Sequence, residues 1–195
     1  MSIVVLIDQR DGQAASAVSA LAAHLNEYLG NALERPFERA VGDQVVGILD
    51  DPLAVSRLLV AVDDADGDWL TAVGFGELDE LGDTARECSG PALRAAKRAA
   101  ERARKAPNGV AVDGHSDFAA DIDSAALLLG DILAGRSERQ RAVIALRRAQ
   151  MTGEQIAQRL DITRRAVHKH LSAGRFALEQ EATKLIDRLA LRAAR

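Results

Sequence analysis

The chain of 195 residues is poor in several residue types that mark particular protein classes. It has one cysteine, which excludes an internal disulfide and suits a reducing compartment. We expect that residue, Cys88, to be a small half-buried side chain. No apolar run approaches the length of a membrane span, and no signal-peptide pattern is present. These absences predict a cytoplasmic protein that does not enter the membrane.

Aromatic residues make up only 3% of the chain, so Ala, Leu, Val and Ile must build its core. Motifs of common catalytic sites are also missing. The chain contains no GxxxxGK[ST] phosphate loop, no HExxH and no CxxC. Its length allows one or two domains with a sizeable core.

Charge is present but unevenly distributed. Residues 136–195 contain 14 Lys/Arg and 6 Asp/Glu, a net charge of +8, whereas residues 1–135 contain 11 and 23, a net charge of −12. The basic part is typical of a DNA-binding module, and DNA would repel the acidic part.

Residues 152–171, TGEQIAQRLDITRRAVHKHL, have the pattern of a helix-turn-helix. Thr152 and Thr163 are suited to cap two successive helices. Asp161 stands where the turn between them needs a left-handed backbone, which Asp tolerates better than most residues. The apolar positions that would join the two helices are Ile156, Ala157, Leu160, Ile162, Val167 and Leu171.

The second of these helices has a basic outer face. A helix fits the major groove of B-DNA, where Arg and Lys are the usual partners of guanine edges and phosphates. We predict base contacts from Arg164, Arg165, His168 and Lys169, phosphate contacts from Thr163 and Ser172, and positions near the DNA backbone for Arg175 and Arg136. The alternative is a charged helical hairpin that binds nothing.

This pattern resembles the promoter-reading domain of sigma factors and the LuxR-type regulators. The resemblance extends upstream to RQRAVIAL at residues 139–146, which matches their preceding helix. Such modules usually act as dimers on two half-sites. A helical tail at 176–191 carries leucines at seven-residue spacing, which indicates either a dimer seam or packing back on the helix-turn-helix.

The N-terminal part alternates strand-like and helix-like segments. We predict strands at residues 3–7, 37–41, 45–49, 69–75 and 110–112, and helices at 14–33, 50–62, 91–105 and 122–133, with a turn at Gly12. The order β-α-β-β-α-β within the first 76 residues is the ferredoxin-like, split arrangement. The predicted fold is therefore α+β, with a ferredoxin-like or nucleotidyl-cyclase-like sheet domain and an all-α helix-turn-helix domain. The predicted divisions are 1–115, a connecting helix at 116–136, and 137–195.

Several short N-terminal pieces resemble the SatD family and, more distantly, the class III nucleotidyl cyclases. These pieces are Asp8 after the first strand, Val41-Gly42-Asp43, Gly74-Phe75-Gly76, and SGPALRAAK at 89–97. The SatD resemblance covers roughly residues 3–140. Some regulators of that family join such a domain to a helix-turn-helix.

The cyclase resemblance implies a purine nucleotide with Mg²⁺, held by hard oxygen ligands. By position, Asp8 and Asp43 would be the metal ligands, and Arg39, Glu87, Arg94 and Arg98 would contact the nucleotide. The chain departs from that pattern, with Arg94 where cyclases place Asn and Gln44 after the second Asp. An alignment that equates Arg10 with the family arginine would remove Asp8 from the metal site.

These observations predict a sequence-specific DNA-binding transcription regulator that acts as a homodimer. Its cyclase-like domain would be catalytically degenerate and would serve dimerisation or nucleotide sensing. The alternative is a nucleotide-dependent, cyclase-like enzyme controlled by a tethered DNA-binding domain. A third reading is an interaction protein with a degenerate helix-turn-helix.

Overall fold

The computed structural model describes residues 1–10, 15–65 and 67–194. Its strands are β1 (Ser2–Gln9), β2 (Leu33–Arg39), β3 (Val45–Leu49), β4 (Trp69–Gly76) and β5 (Val110–Gly114). Its helices are α1 (Ala15–Leu29), α2 (Ala54–Asp64), α3 (Pro91–Ala103), α4 (Asp117–Ala134), α5 (Glu138–Arg148), α6 (Gly153–Arg159), α7 (Arg164–Ala173) and α8 (Phe176–Ala193). Among the described helices, none is long and apolar enough to span a lipid bilayer.

The five strands form one sheet in the order β2-β3-β1-β4-β5. Among the first four strands each neighbouring pair is antiparallel, and β5 adds to the edge in parallel with β4. This is the split β-α-β arrangement with one strand added, joined to a helical C-terminal region. The predicted α+β fold class is confirmed.

Strand β1 runs through the middle of the sheet and supplies both faces with apolar side chains. Ile3, Val5 and Ile7 point to a core shared with α1, α2, α4 and α8. Val4 and Leu6 point to a second core under α3. Successive strand residues face opposite sides, so a continuous apolar run marks a strand that is buried on both faces.

Helix α3 lies unusually close to the sheet because two glycines of β4 face it. A Cβ on Gly74 would lie 2.2 Å from the backbone nitrogen of Ala96, and one on Gly76 would lie 2.8 Å from that of Ala92. The side of α3 that meets them consists of fully buried alanines at positions 92, 95, 96, 99 and 103. The Gly74-Phe75-Gly76 motif therefore has a packing role.

Several element boundaries differ from the sequence-based prediction. Helix α1 ends at Leu29 rather than residue 33, and β2 then begins at Leu33 and includes Pro36. Proline is tolerated there because β2 is an edge strand. Asn26 binds both backbone groups of Phe37, at 2.7 and 2.9 Å. The predicted turn at Gly12 and the predicted helix start at residue 14 lie outside the described residues.

The C-terminal helix α8 returns to the sheet domain. Ile186, Ala190 and Ala193 are buried against the core formed with α4 and α2, and Ser56 donates a hydrogen bond to Asp187 at 2.6 Å. The tail thus packs on its own chain, but mainly on the helices over the sheet rather than on the helix-turn-helix. Of the seven-spaced leucines, Leu178 and Leu185 remain exposed. The proposed domain boundaries stay a prediction.

Candidate nucleic-acid interface

Three helices, α5, α6 and α7, form a small module with its own apolar centre. Val143, Ile156, Ala157 and Val167 are buried there, and Leu146, Met151, Leu160, Ile162 and Leu171 pack around them. Thr152 caps α6 by accepting a hydrogen bond from the amide of Gln155, whose side chain accepts from the Thr152 amide in return. Thr163 caps α7 by accepting from the amide of Ala166 at 3.1 Å. Both predicted caps are present.

The turn between α6 and α7 has the predicted backbone geometry. Asp161 adopts a left-handed conformation with φ of 51°. The amide of Ile162 donates to the carbonyl of Ala157 at 3.0 Å, and the Arg139 guanidinium donates to the carbonyl of Leu160 at 2.9 Å. These bonds satisfy carbonyls that the end of α6 leaves without intrahelical partners. The angle between the two helices is therefore fixed locally.

The outer side of α7 carries four exposed side chains, Arg164, Arg165, His168 and Lys169, which we call the basic face. Val167, on the opposite side of the helix, is 1% exposed. Within the described residues, no ion pair or hydrogen bond engages the side chains of the basic face. Thr163, Ser172 and Arg175 are also exposed, next to this face along the chain. The face therefore offers uncompensated positive charge to a ligand.

Arg136 does not lie near this surface, which corrects the expectation that it approaches the DNA backbone. Its side chain is 1% exposed, its Nε donates to the carbonyl of Gly174 at 2.8 Å, and its Nη1 lies 2.6 Å from Glu179. Glu179 also accepts two hydrogen bonds from Arg148, at 2.7 and 2.9 Å. One buried carboxylate on α8 thus joins the segment before α5 to the last residue of α5.

Two arginines of α5 fasten the helix-turn-helix module to the acidic end of α2. Arg148 contacts Asp64 at 2.6 Å, and Arg141 lies 2.6 Å from Asp63. Burial alone would lower the pKa of Arg148, but hydrogen bonds to Glu179 and attraction from Asp64 outweigh it and raise that pKa. Arg148 therefore stays charged at this junction.

The residues predicted to bind a nucleotide are separately engaged within the sheet domain. Arg39 pairs with Asp43 at 3.0 Å across the β2–β3 turn, and Arg98 pairs with Asp113 at 2.6 Å. The Glu87 carboxylate accepts from the Thr84 amide at 3.2 Å. Arg94 lies 3.8 Å from Asp79, at the start of α3.

Of the two predicted metal ligands, Asp8 lies near the end of β1 and Asp43 lies in the turn before β3, at the same end of the sheet. Asp8 pairs with Arg104 at 3.0 Å, and Asp43 pairs with Arg39. Two carboxylates in contact with guanidinium groups are a poor match to a divalent cation that needs several free oxygens. Among the described residues, no group of three or more His, Cys, Asp or Glu side chains is arranged to hold a metal ion. The magnesium site and the nucleotide site stay predictions.

Fold and surface together define a sheet domain joined to a helix-turn-helix module with a free basic face. Residues 128–178, from the last turns of α4 to the start of α8, match the model of the family described as sigma-70, region 4. The predicted resemblance to sigma factors is confirmed for that segment. Neither curated proteins nor solved structures gave a match to the chain. The SatD and cyclase resemblance of the sheet domain stays a prediction.

Sequence reasoning missed the arginines that pair with carboxylates at the base of the helix-turn-helix module. Arg136, Arg141 and Arg148 belong to the same basic segment as the basic face, and by residue type alone they are indistinguishable from it. One available signal was their position, since Arg141 and Arg148 are seven residues apart and therefore share one side of α5. The other was the acidic pair Asp63-Asp64, whose role was not assigned.

Proposed function

We propose that this protein is a sequence-specific DNA-binding transcription regulator that reads the major groove with α7. The observation that carries the proposal is the basic face, which is exposed and free of acidic partners within the described residues. The match to sigma-70 region 4 supports DNA binding in transcription.

In this proposal, Arg164, Arg165, His168 and Lys169 contact base edges, and Thr163 and Ser172 contact phosphates. Arg175, exposed at the start of α8, lies near the DNA backbone. Arginine forms bidentate hydrogen bonds with guanine, and hydroxyl groups bind phosphate oxygens. The Thr163 hydroxyl accepts from the Ala166 amide, so its own proton stays free to donate to a phosphate.

The proposal includes a homodimer, because a single recognition helix makes few base contacts and two copies read two half-sites. The exposed Leu178 and Leu185 on α8 supply apolar surface for such contact. The sheet domain would then position the two copies in the cytoplasm, or sense a nucleotide without turning it over.

The test is selection of genomic DNA fragments by the purified full-length chain, followed by affinity measurements on the selected and scrambled duplexes. The full chain is needed because α8 packs on the sheet domain. We expect the selected duplex to bind at least about a thousandfold more tightly than the scrambled one. Affinity should also fall with salt, by a log–log slope of about −0.9 per neutralised phosphate.

The loss-of-binding variant is the double substitution Arg164→Ala, Lys169→Ala, which removes two cations of the basic face and leaves the module's core unchanged. Its affinity for the selected duplex should be lost, and any remaining DNA binding should depend less steeply on salt. A chain that enriches no fragment and whose binding ignores salt would be an interaction protein with a degenerate helix-turn-helix, and the proposal would be wrong.

A further inference from the structure

Helices α4 and α8 pack side by side and leave an apolar patch in contact with solvent. Leu128 on α4 is 67% exposed, and Leu178 and Leu185 on α8 are 55% and 39% exposed. We call these three side chains the leucine patch. Exposed leucines on two neighbouring helices form a surface that a second protein can cover.

The geometry of the two helices brings the three leucines together. The Arg192 guanidinium, near the end of α8, lies 5.9 Å from the centre of the Phe118 ring at the start of α4, so the helices run antiparallel. Leu128 is ten residues after Phe118, and the residue ten before Arg192 is Ala182. Because both helices rise equally per residue, Leu128 lies level with Ala182, midway between Leu178 and Leu185.

The charges beside the leucine patch are opposite on the two helices. The exposed side of α4 carries only carboxylates, at Asp117, Asp121 and Asp131. The exposed side of α8 is mainly basic, with Lys184, Arg188 and Arg192 against Glu181. No salt bridge engages Asp121 or Arg188 within the described part of the chain. The surface thus has an acidic half and a basic half with leucines between them.

A second copy of the chain is the occupant that this distribution of charge fits. In a two-fold interface the same surface meets itself. When the axis runs along the helices, α4 of each copy faces α8 of the other, and the acidic half meets the basic half. An axis across the helices would place α4 on α4 and bring aspartates together, which like-charge repulsion opposes.

The edges of the sheet are poorly suited to self-association. At the edge strand β2, Asn26 binds both backbone groups of Phe37. At the edge strand β5, the Val112 amide donates to Asp123 at 2.6 Å, and the Val112 carbonyl accepts from Arg102 at 2.6 Å. Side chains that occupy these groups oppose pairing with another strand. We therefore expect two copies to meet through helices.

We propose that the leucine patch is the centre of a symmetric dimer interface, in which α4 of each copy packs on α8 of the other. Leu128 of one copy lies between Leu178 and Leu185 of the second copy. Asp121 lies opposite Arg188 of the second copy, because the two residues stand at nearly the same level along the antiparallel helices. The proposal rests on the homodimer of the proposed function and names its surface, and it does not require DNA.

The test is sedimentation velocity of the full-length chain without DNA, over a range of protein concentrations. We expect the unmodified chain to dimerise. Leu128→Glu places a charge in the interface twice, so it should raise the dimer dissociation constant at least about a hundredfold. Its control, Leu81→Glu, makes the same change at a leucine that is 40% exposed in the loop before α3, and it should leave dimerisation unchanged.

Two charge reversals test the register of the interface. Asp121→Arg alone, or Arg188→Asp alone, sets like charges against each other at both contacts of the two-fold dimer. Each variant should therefore dimerise at least about tenfold more weakly than the unmodified chain. An equal mixture of the two variants forms a heterodimer with opposite charges at both contacts, and its affinity should return to that of the unmodified chain. An ion pair within one chain could not produce this recovery.

The proposal is overturned if the unmodified chain stays monomeric at submillimolar concentration, which would leave the patch for a different protein. It is equally overturned if Leu128→Glu and Leu81→Glu behave alike, or if mixing the charge variants restores nothing. DNA selection is a separate measurement. A monomer that still selects a duplex would remove only this interface, whereas a dimer that selects none would remove only the DNA-reading function.

Discussion

Helices α3 and α7 both carry arginines on an exposed side, yet the two helices use them differently. On α3, Arg94, Arg98 and Arg102 each pair with an aspartate of the sheet domain. On α7, the basic face has no acidic partner within the described residues. The arginines of α3 are therefore matched by carboxylates of the same protein, whereas those of α7 are free for a ligand.

The net charge of +8 in residues 136–195 overstates the positive charge that is available to bind DNA. Three of its arginines already pair with carboxylates of the protein. Arg136 pairs with Glu179, Arg141 with Asp63, and Arg148 with both Asp64 and Glu179. Counting arginines identifies the basic segment, but the placement of carboxylates decides which arginines can bind. The comparison between paired and free cations can be tested by removing members of each class.

The largest effect is expected from Glu179→Gln, which removes the shared partner of Arg136 and Arg148. Both guanidinium groups would then lie in or near the interior with less compensation. Breaking a buried pair in this way costs about 3–5 kcal/mol of unfolding free energy. Urea denaturation of the full chain measures the loss.

Glu181→Gln is the matched control, since it makes the same change two residues away on the exposed side of α8. A hydrogen bond from Lys184 lowers the pKa of Glu181, but the pair is solvated. We expect its denaturation midpoint to equal that of the unmodified chain. Equal midpoints for both variants would show that Glu179 does not hold α5 in place.

The next effect is expected from Gly74→Ala, which tests why α3 lies so close to the sheet. The added Cβ would lie 2.2 Å from the Ala96 nitrogen and 2.3 Å from the Ala92 carbonyl oxygen. Because those atoms belong to backbone, relief requires movement of α3, and overpacking of this kind costs up to about 3 kcal/mol.

Gly153→Ala is the control for that substitution, because its nearest neighbour is a side-chain atom 3.6 Å away. It should leave the unfolding free energy unchanged or raise it by up to about 1 kcal/mol. Thermal denaturation compares the two variants. A tolerated Gly74→Ala would mean that the glycine motif serves something other than packing.

The sequence predicted local structure better than it predicted long-range partners. The strand at residues 3–7, the caps Thr152 and Thr163 and the left-handed Asp161 depend on neighbouring residues, and the structure confirms them. The docking of α8 on α4 was not predicted, because an apolar stripe of Ala and Leu fits any apolar surface. The burial of Arg136 was missed because its partner Glu179 lies far along the chain.

Among the proposed DNA contacts, Arg165→Ala separates base reading from general attraction. Loss of a bidentate guanine contact should weaken binding to the selected duplex by about 1–3 kcal/mol and relax the preference at one base pair. Affinity for scrambled DNA should change much less. Fluorescence anisotropy on both duplexes measures this, and an equal loss on both would leave Arg165 as a phosphate contact.

The smallest effect is expected from Arg98→Ala, which makes the same chemical change on α3. A hydrogen bond to Asp113 raises the pKa of Arg98, and the side chain is half exposed. Solvated pairs of this kind contribute about 0–1 kcal/mol to stability, so unfolding should change little. DNA affinity should not change, because the cation removed was already matched by a carboxylate. If Arg98→Ala weakened DNA binding as much as Arg165→Ala, paired and free arginines would contribute equally, and the proposal that the basic face is the DNA-contacting surface would be wrong.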